Sequence, residues 1–297
     1  MTGHPATGQP PAGHPPAGQF ATVRTDLDKQ FVDVYELAAG AVTKISTVEV
    51  HGDLFSEELV WPDAASPIVF RGGVMEGDGV QRFGTIAGGR FTVVKPKGKG
   101  DVLGLLTSSA GEVWIERCTK WDDNNPDEEG CNVRGWSRVT PTPGTATKPP
   151  PLRVLPSDAL ATPTRVTLAA RRDRKAPNDH VLACTVGGKT VTLLSGDQVR
   201  KPPTWRWLSG EPTIALVQIA YAGEYAPDRE PHDYRLLRGC KLADDAEAYV
   251  LGPDGLWALQ IDHPDGGGTE HAYEVRWRGV KLATVDGEAF AFAGGVP

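Results

Sequence analysis

The chain has 297 residues, of which 39% are hydrophobic and 23% charged, and it carries a formal net charge of −7. Its basic residues are scattered, which argues against a nucleic-acid surface, where clustered Lys and Arg must displace counterions. No apolar run approaches the length needed to span a bilayer, so no transmembrane segment is expected.

Glycine recurs at Gly3, Gly8, Gly13 and Gly18, making residues 1–20 a pentapeptide array of Gly, His, Gln, Pro, Ala and Thr that ends at Phe20. The array has no charged group and nothing larger than alanine to bury before Phe20 except Met1. It therefore cannot offset the entropy of ordering its backbone and reads as a disordered tether, with partner docking as its second use. His4 and His14 are ten residues apart and fall on different faces of a polyproline II helix. No preformed chelate results, and the tract reads as a spacer.

Thr25 to Gly40 fits two readings. Thr25 can cap a short helix on which Leu27, Phe31, Val34 and Ala38 share a face. The β-branched and aromatic residues over 31–37 favour a strand instead. After Gly40 the period is two: 41–50, 67–70, 90–95, 102–107, 113–121 and 133–140 read as strands between Gly, Pro, Asp or Ser. In the 113–121 strand Trp114 and Glu116 share one face, and Val113, Ile115 and Arg117 the other, as in a half-buried sheet.

Residues 141–151, Pro-Thr-Pro-Gly-Thr-Ala-Thr-Lys-Pro-Pro-Pro, remove ladder donors and stiffen the chain, so a Pro-rich linker is placed at 141–153. Beyond it, 180–186 and 189–194 flank Gly187-Gly188, a two-residue hairpin turn. The segments 248–251 and 256–261 flank Gly-Pro-Asp-Gly, and 281–285 and 288–292 flank Asp286-Gly287, giving two more expected hairpins. The fold class expected is mainly β: two antiparallel β domains, barrel or sandwich, at 21–140 and 154–297 after the tether. No glycine-rich phosphate loop or strand–helix alternation points to a nucleotide fold.

Four cysteines fall two on each side of the Pro-rich break. Cys118 with Cys131, and Cys184 with Cys240, are expected as local disulfides of an oxidising compartment. Neither pair has zinc-site spacing. Between the first two, Asp123, Asn125 and Asp127 follow the alternate oxygen spacing of a calcium loop. Glu128 stands where such a loop needs glycine and Arg134 where it needs glutamate, so an acidic hairpin tip is the competing reading. Trp205 and Trp207 flank Arg206 and share one face of a strand, a pattern used by cores, interfaces and sugar sites.

Catalytic signals are few. Ser195 lies outside a Gly-x-Ser-x-Gly elbow. Asp179-His180, His232-Asp233 and Asp262-His263 are adjacent pairs, which a strand sends to opposite faces.

Two resemblances bear on deployment. Gly-His-Pro-Pro-Ala-Gly at residues 13–18 resembles the linkers that follow the lipidated cysteine in exported lipoproteins of Gram-negative bacteria. This covers only residues 1–20 and implies an envelope protein, tethered at its N terminus, whose leader has been removed. The lipidation cysteine is missing, and Met-Thr-Gly-His opens without the charged and apolar regions of a signal peptide. Arg71-Gly72-Gly73 through Gly77-Asp78-Gly79, then Phe83-Gly84-Thr85-Ile86-Ala87-Gly88-Gly89 and Phe91-Thr92-Val93-Val94, is similar to the opening of bacterial SH3-like domains. That likeness implies a small barrel that binds peptide or cell-wall glycan, with Trp114 or Trp136 as the closing tryptophan.

The function expected is that of a non-catalytic exported protein, periplasmic or at the cell surface, that binds or assembles with other envelope proteins. The alternative is an enzyme or glycan-binding module acting on cell-wall or extracellular polysaccharide through the acidic loop or the Trp205/Trp207 face. Beyond calcium, no cofactor is expected.

Overall fold

The structure is a computed structural model describing residues 15–26, 29–50, 54–74, 81–121, 131–153, 163–172, 174, 180–195, 202–209, 213–220, 232–245, 249–262 and 271–295. These residues form six antiparallel sheets. The first holds β1 (Gly18–Asp26), β2 (Lys29–Ala38) and β3 (Ala41–Val50); the second β4 (Leu54–Val60), β5 (Ile68–Val74), β6 (Gln81–Ala87) and β7 (Arg90–Val94). The third holds β8 (Asp101–Thr107), β9 (Val113–Trp121), β10 (Cys131–Thr140) and β11 (Gly144–Ala146). Then come a three-stranded sheet, β12 (Val166–Arg172), β13 (His180–Val186) and β14 (Lys189–Leu194), and a fifth, β15 (Thr204–Ser209), β16 (Ile214–Ala220), β17 (His232–Arg238) and β18 (Lys241–Asp245). The sixth holds β19 (Tyr249–Leu251), β20 (Leu256–Asp262), β21 (His271–Trp277) and β22 (Val280–Asp286). The last strand, β23 (Ala289–Phe292), returns to pair with β1. Each sheet is built from strands consecutive in sequence, except that β23 completes the first.

The chain divides into two compact units. One comprises Pro15–Pro156, Tyr249–Val275 and Leu282–Pro297; the other comprises Ser157–Ala248 and Arg276–Lys281, together with Met1–His14, which lie outside the described residues.

Antiparallel β structure is what the residue patterns predict, and it takes the form of six sheets among the described residues. Within Thr25–Gly40, Thr25 and Asp26 end β1 and Lys29–Ala38 is β2, so the described part is strand and not helix. Its helix-like pattern arises because β2 is buried on both faces, which erases the two-residue alternation. Val32 and Val34 join the core shared with the second sheet, while Tyr35 and Leu37 are buried on the opposite face. The final residues of the glycine array are no tether: Gly18, Gln19 and Phe20 open β1, and Phe20 is 1% exposed. Phe20 stacks on Tyr35 and Phe290 with ring centroids 4.9 and 5.0 Å apart.

The Asp286-Gly287 hairpin does not form. β22 pairs within the sixth sheet and β23 within the first, so Asp286-Gly287 is a crossing between sheets. A Cβ at Gly287 would sit 2.8 Å from Thr22 Cβ and 2.9 Å from the Val23 carbonyl, so the crossing depends on glycine's missing side chain. The other two hairpins form, and Gly187 and Gly188 both take positive φ, 56° and 76°. The Pro-rich stretch is bound to the third sheet. Gly144–Ala146 pairs with β10, Leu152 bridges Ser108, and the Arg153 amide donates to the Thr107 carbonyl.

Both cysteine pairs are disulfides, Cys118–Cys131 across β9 and β10 and Cys184–Cys240 between β13 and the β17–β18 turn. The second links two sheets across 56 residues of sequence. Replacing Cys184 and Cys240 by alanine is expected to cost about 4 kcal/mol in the chain-entropy account, read as a lower urea midpoint. Equal midpoints would show that the link adds nothing.

Candidate functional site

The second and third sheets meet on an apolar cluster of Val60, Val69, Phe83, Leu105, Val113, Ile115 and Val139. On β9, Val113 and Ile115 point into this core and are fully buried, and the next residue on that face is Arg117. A strand thus carries an arginine where its pattern calls for a third apolar side chain. Arg117 is 9% exposed. Its Nε donates to the buried Ser137 Oγ at 3.0 Å and its Nη1 to the Gly100 carbonyl at 2.9 Å.

The loop supplying that carbonyl is Lys95-Pro96-Lys97-Gly98-Lys99-Gly100. It lies against Arg117 only because of its glycines. Gly98 and Gly100 have φ of 111° and 98°, a region L side chains rarely adopt. A Cβ at Gly98 would stand 2.5 Å from Ser137 Oγ, and one at Gly100 would stand 2.1 Å from the Cys118 carbonyl oxygen. The Cys118–Cys131 disulfide anchors the same backbone from the other side.

Arg117 faces a cavity of about 580 Å³ lined by Phe83, Val94 and Val102 and by the charged groups Arg82, Lys95 and Asp101. Arg82 and Lys95 are exposed at its rim, with Val93 beside them, 60% exposed. Asp101 Oδ2 is taken by the Trp121 indole N–H at 2.5 Å. Burial pushes the Arg117 guanidinium below its ordinary pKa. Arginine nevertheless stays charged, so this group can attract an anion but does not shuttle protons. Within a chain of net charge −7 the cavity is a local inversion of sign.

The residues singled out from sequence lie elsewhere. Asp123, Asn125 and Asp127 lie outside the described residues, as do His4 and His14, Asp179 and His263. Trp205 and Trp207 share a face of β15 opposite Val217 and Ala215 and pack half-buried on the cluster of Leu182, Ala215, Val217, Ile219 and Leu237. Residues 71–74, 81–87 and 90–94 of the SH3-like stretch fall in β5, β6 and β7. Sequence reasoning missed the Arg117 cavity, although two signals pointed to it: the Val-x-Ile-x-Arg face of β9 and the Lys/Gly alternation at 97–100.

No protein family and no curated protein matches this sequence. Two solved structures are similar over most of the chain. A nidogen/laminin complex matches at a TM-score of 0.40 and 9% identity, covering 94% of this chain and 98% of that one. A periplasmic gluconolactonase of Pseudomonas aeruginosa matches at 0.35 and 11%, covering 93% and 85%. Likenesses this distant assign neither ligand nor activity. Among the described residues no helix is long and apolar enough to cross a membrane.

Proposed function

We infer that this is a non-catalytic protein of an oxidising compartment outside the cytosol, which binds a partner protein through its β-rich body at the cavity between the second and third sheets. The observation that carries the reading is Arg117, a buried cation on the core face of β9, opening into a cavity whose rim adds Arg82, Lys95 and the exposed Val93. A fixed charge beside apolar surface is the composition of a recognition site, where arginine anchors are enriched. The two disulfides support the compartment. The residues before β1 serve in this reading as the spacer that holds the body away from an envelope anchor.

A photo-crosslinking residue at position 93, with position 191 as control, tests the reading in cells exporting the full chain. One specific protein joined from 93 and not from 191, which then forms a discrete complex with the purified chain, is the expected result. Equal capture at both positions, or a captured protein that forms no complex, would sink it.

A further inference from the structure

The residues of the cavity narrow the chemistry of what it binds. Arg24, Lys29, Lys44, Arg71, Arg134 and Arg138 each stand within 4.0 Å of a carboxylate. Arg117, Arg82 and Lys95 make no ion pair among the described residues, nor do Lys97 and Lys99 in the adjoining loop. Arg117 spends Nε and one Nη1 hydrogen on neutral acceptors, Ser137 and Gly100, which fixes the plane of the guanidinium, and Nη2 has no partner among the described residues. A buried cation with neutral partners only is a standing cost that an incoming anion relieves. The terminal edge of a guanidinium matches the two oxygens of a carboxylate.

The distribution of charge then separates a single small anion from a chain of them. A lone anion needs only Arg117. Here cations continue from the buried anchor to the rim and along Lys95, Lys97 and Lys99, beside β7, the terminal strand of its sheet, and terminal strands are where extended segments add.

We propose that the cavity binds an acidic peptide segment of the partner, with one carboxylate seated on the Arg117 fork and its neighbours on Arg82, Lys95 and the Lys97–Lys99 loop. This rests on the reading of the cavity as a partner site. It adds the partner's chemistry.

Calorimetric titration of the full chain at low salt with octaglutamate, octalysine, succinate and a sulfated octasaccharide tests it. Octaglutamate is expected to bind most tightly, to weaken at least tenfold in the R82E/K95E double variant, and to weaken again as salt shortens the screening length. R117M should abolish binding. Should that buried variant fail to fold, the two exposed charge reversals decide the matter. Octaglutamate binding no tighter than octalysine, or unmoved by R82E/K95E, would overturn the proposal. So would succinate binding as tightly as the peptide, which would make the ligand a single free carboxylate, or tighter binding of the sulfated sugar, which would make it a glycan. If crosslinking from position 93 survives in R82E/K95E, the partner reading stands and the acidic segment alone falls.

Discussion

Replacing Phe290 and Phe292 by alanine should leave the chain close to unfolded at room temperature. Both rings are buried, at 5% and 2% exposure, on a strand only four residues long. Phe290 lies 5.0 Å from Phe20, 5.1 Å from Tyr273 and 4.8 Å from Phe292, measured between ring centroids. Truncating one buried phenylalanine costs about 3–5 kcal/mol, and two approach the 5–15 kcal/mol that holds an ordinary domain folded. The rings touch, so the double change will not be a simple sum. The strand also closes the first sheet. The Glu288 amide donates to the Val23 carbonyl, Ala293 to Gln19, and Gly294 to Trp61. Deleting residues 288–297 should therefore be worse than either ring substitution, while V93A, at an exposed position, should move the urea midpoint by less than about 0.5 kcal/mol equivalent. A folded truncation with an unchanged midpoint would mean that β23 does not close the sheet.

Asp33 to asparagine is the second large effect expected. Asp33 has a fully buried side chain on β2 and accepts from Arg24 Nε at 2.8 Å, Lys44 Nζ at 2.7 Å and Thr47 Oγ1 at 2.5 Å. Burial pushes its pKa up, but the hydrogen bonds from Lys44, Thr47 and Arg24 outweigh this, and the carboxyl lies below its ordinary value. Removing one member of a buried pair costs about 3–5 kcal/mol; because Lys44 and Arg24 stay partly in water, about 2–4 kcal/mol is expected here.

The pH dependence follows from the sign of the shift. A carboxylate whose folded pKa is depressed contributes stability above its unfolded pKa and loses it as pH falls through the folded value. The gap between wild type and D33N should be constant near neutrality and close below about pH 4. Glu58 moves the other way. Burial raises its pKa against hydrogen bonds from the Leu105 amide and Arg71, so protonating it on mild acidification favours the fold equally in wild type and D33N and cancels in the gap. A gap that persists unchanged at pH 2 would contradict the charge account.

Local pattern made much of the fold legible. Period-two segments at 41–50, 113–121, 180–186 and 189–194 are strands with those bounds, and glycine pairs marked a turn because only positive φ closes it. Long-range pairing was not legible. Nothing local in Glu288 to Phe292 shows that it pairs with β1, some 270 residues earlier, and not with β22 beside it. Both disulfides could be paired from spacing about the Pro-rich break, since each lies on one side of it. The cavity needed the third dimension. Arg117 reads as one more residue of a half-buried face until Gly98 and Gly100 bring the lysine loop over it.

Hydrogen–deuterium exchange of the full chain with and without octaglutamate tests the central claim most directly, because it places the bound segment without assuming the site. Protection confined to residues 90–102 and the β9 backbone around Arg117, and lost in R82E/K95E, is the predicted result. Protection centred on Trp205 and Trp207, or unchanged exchange at saturating peptide, would contradict it.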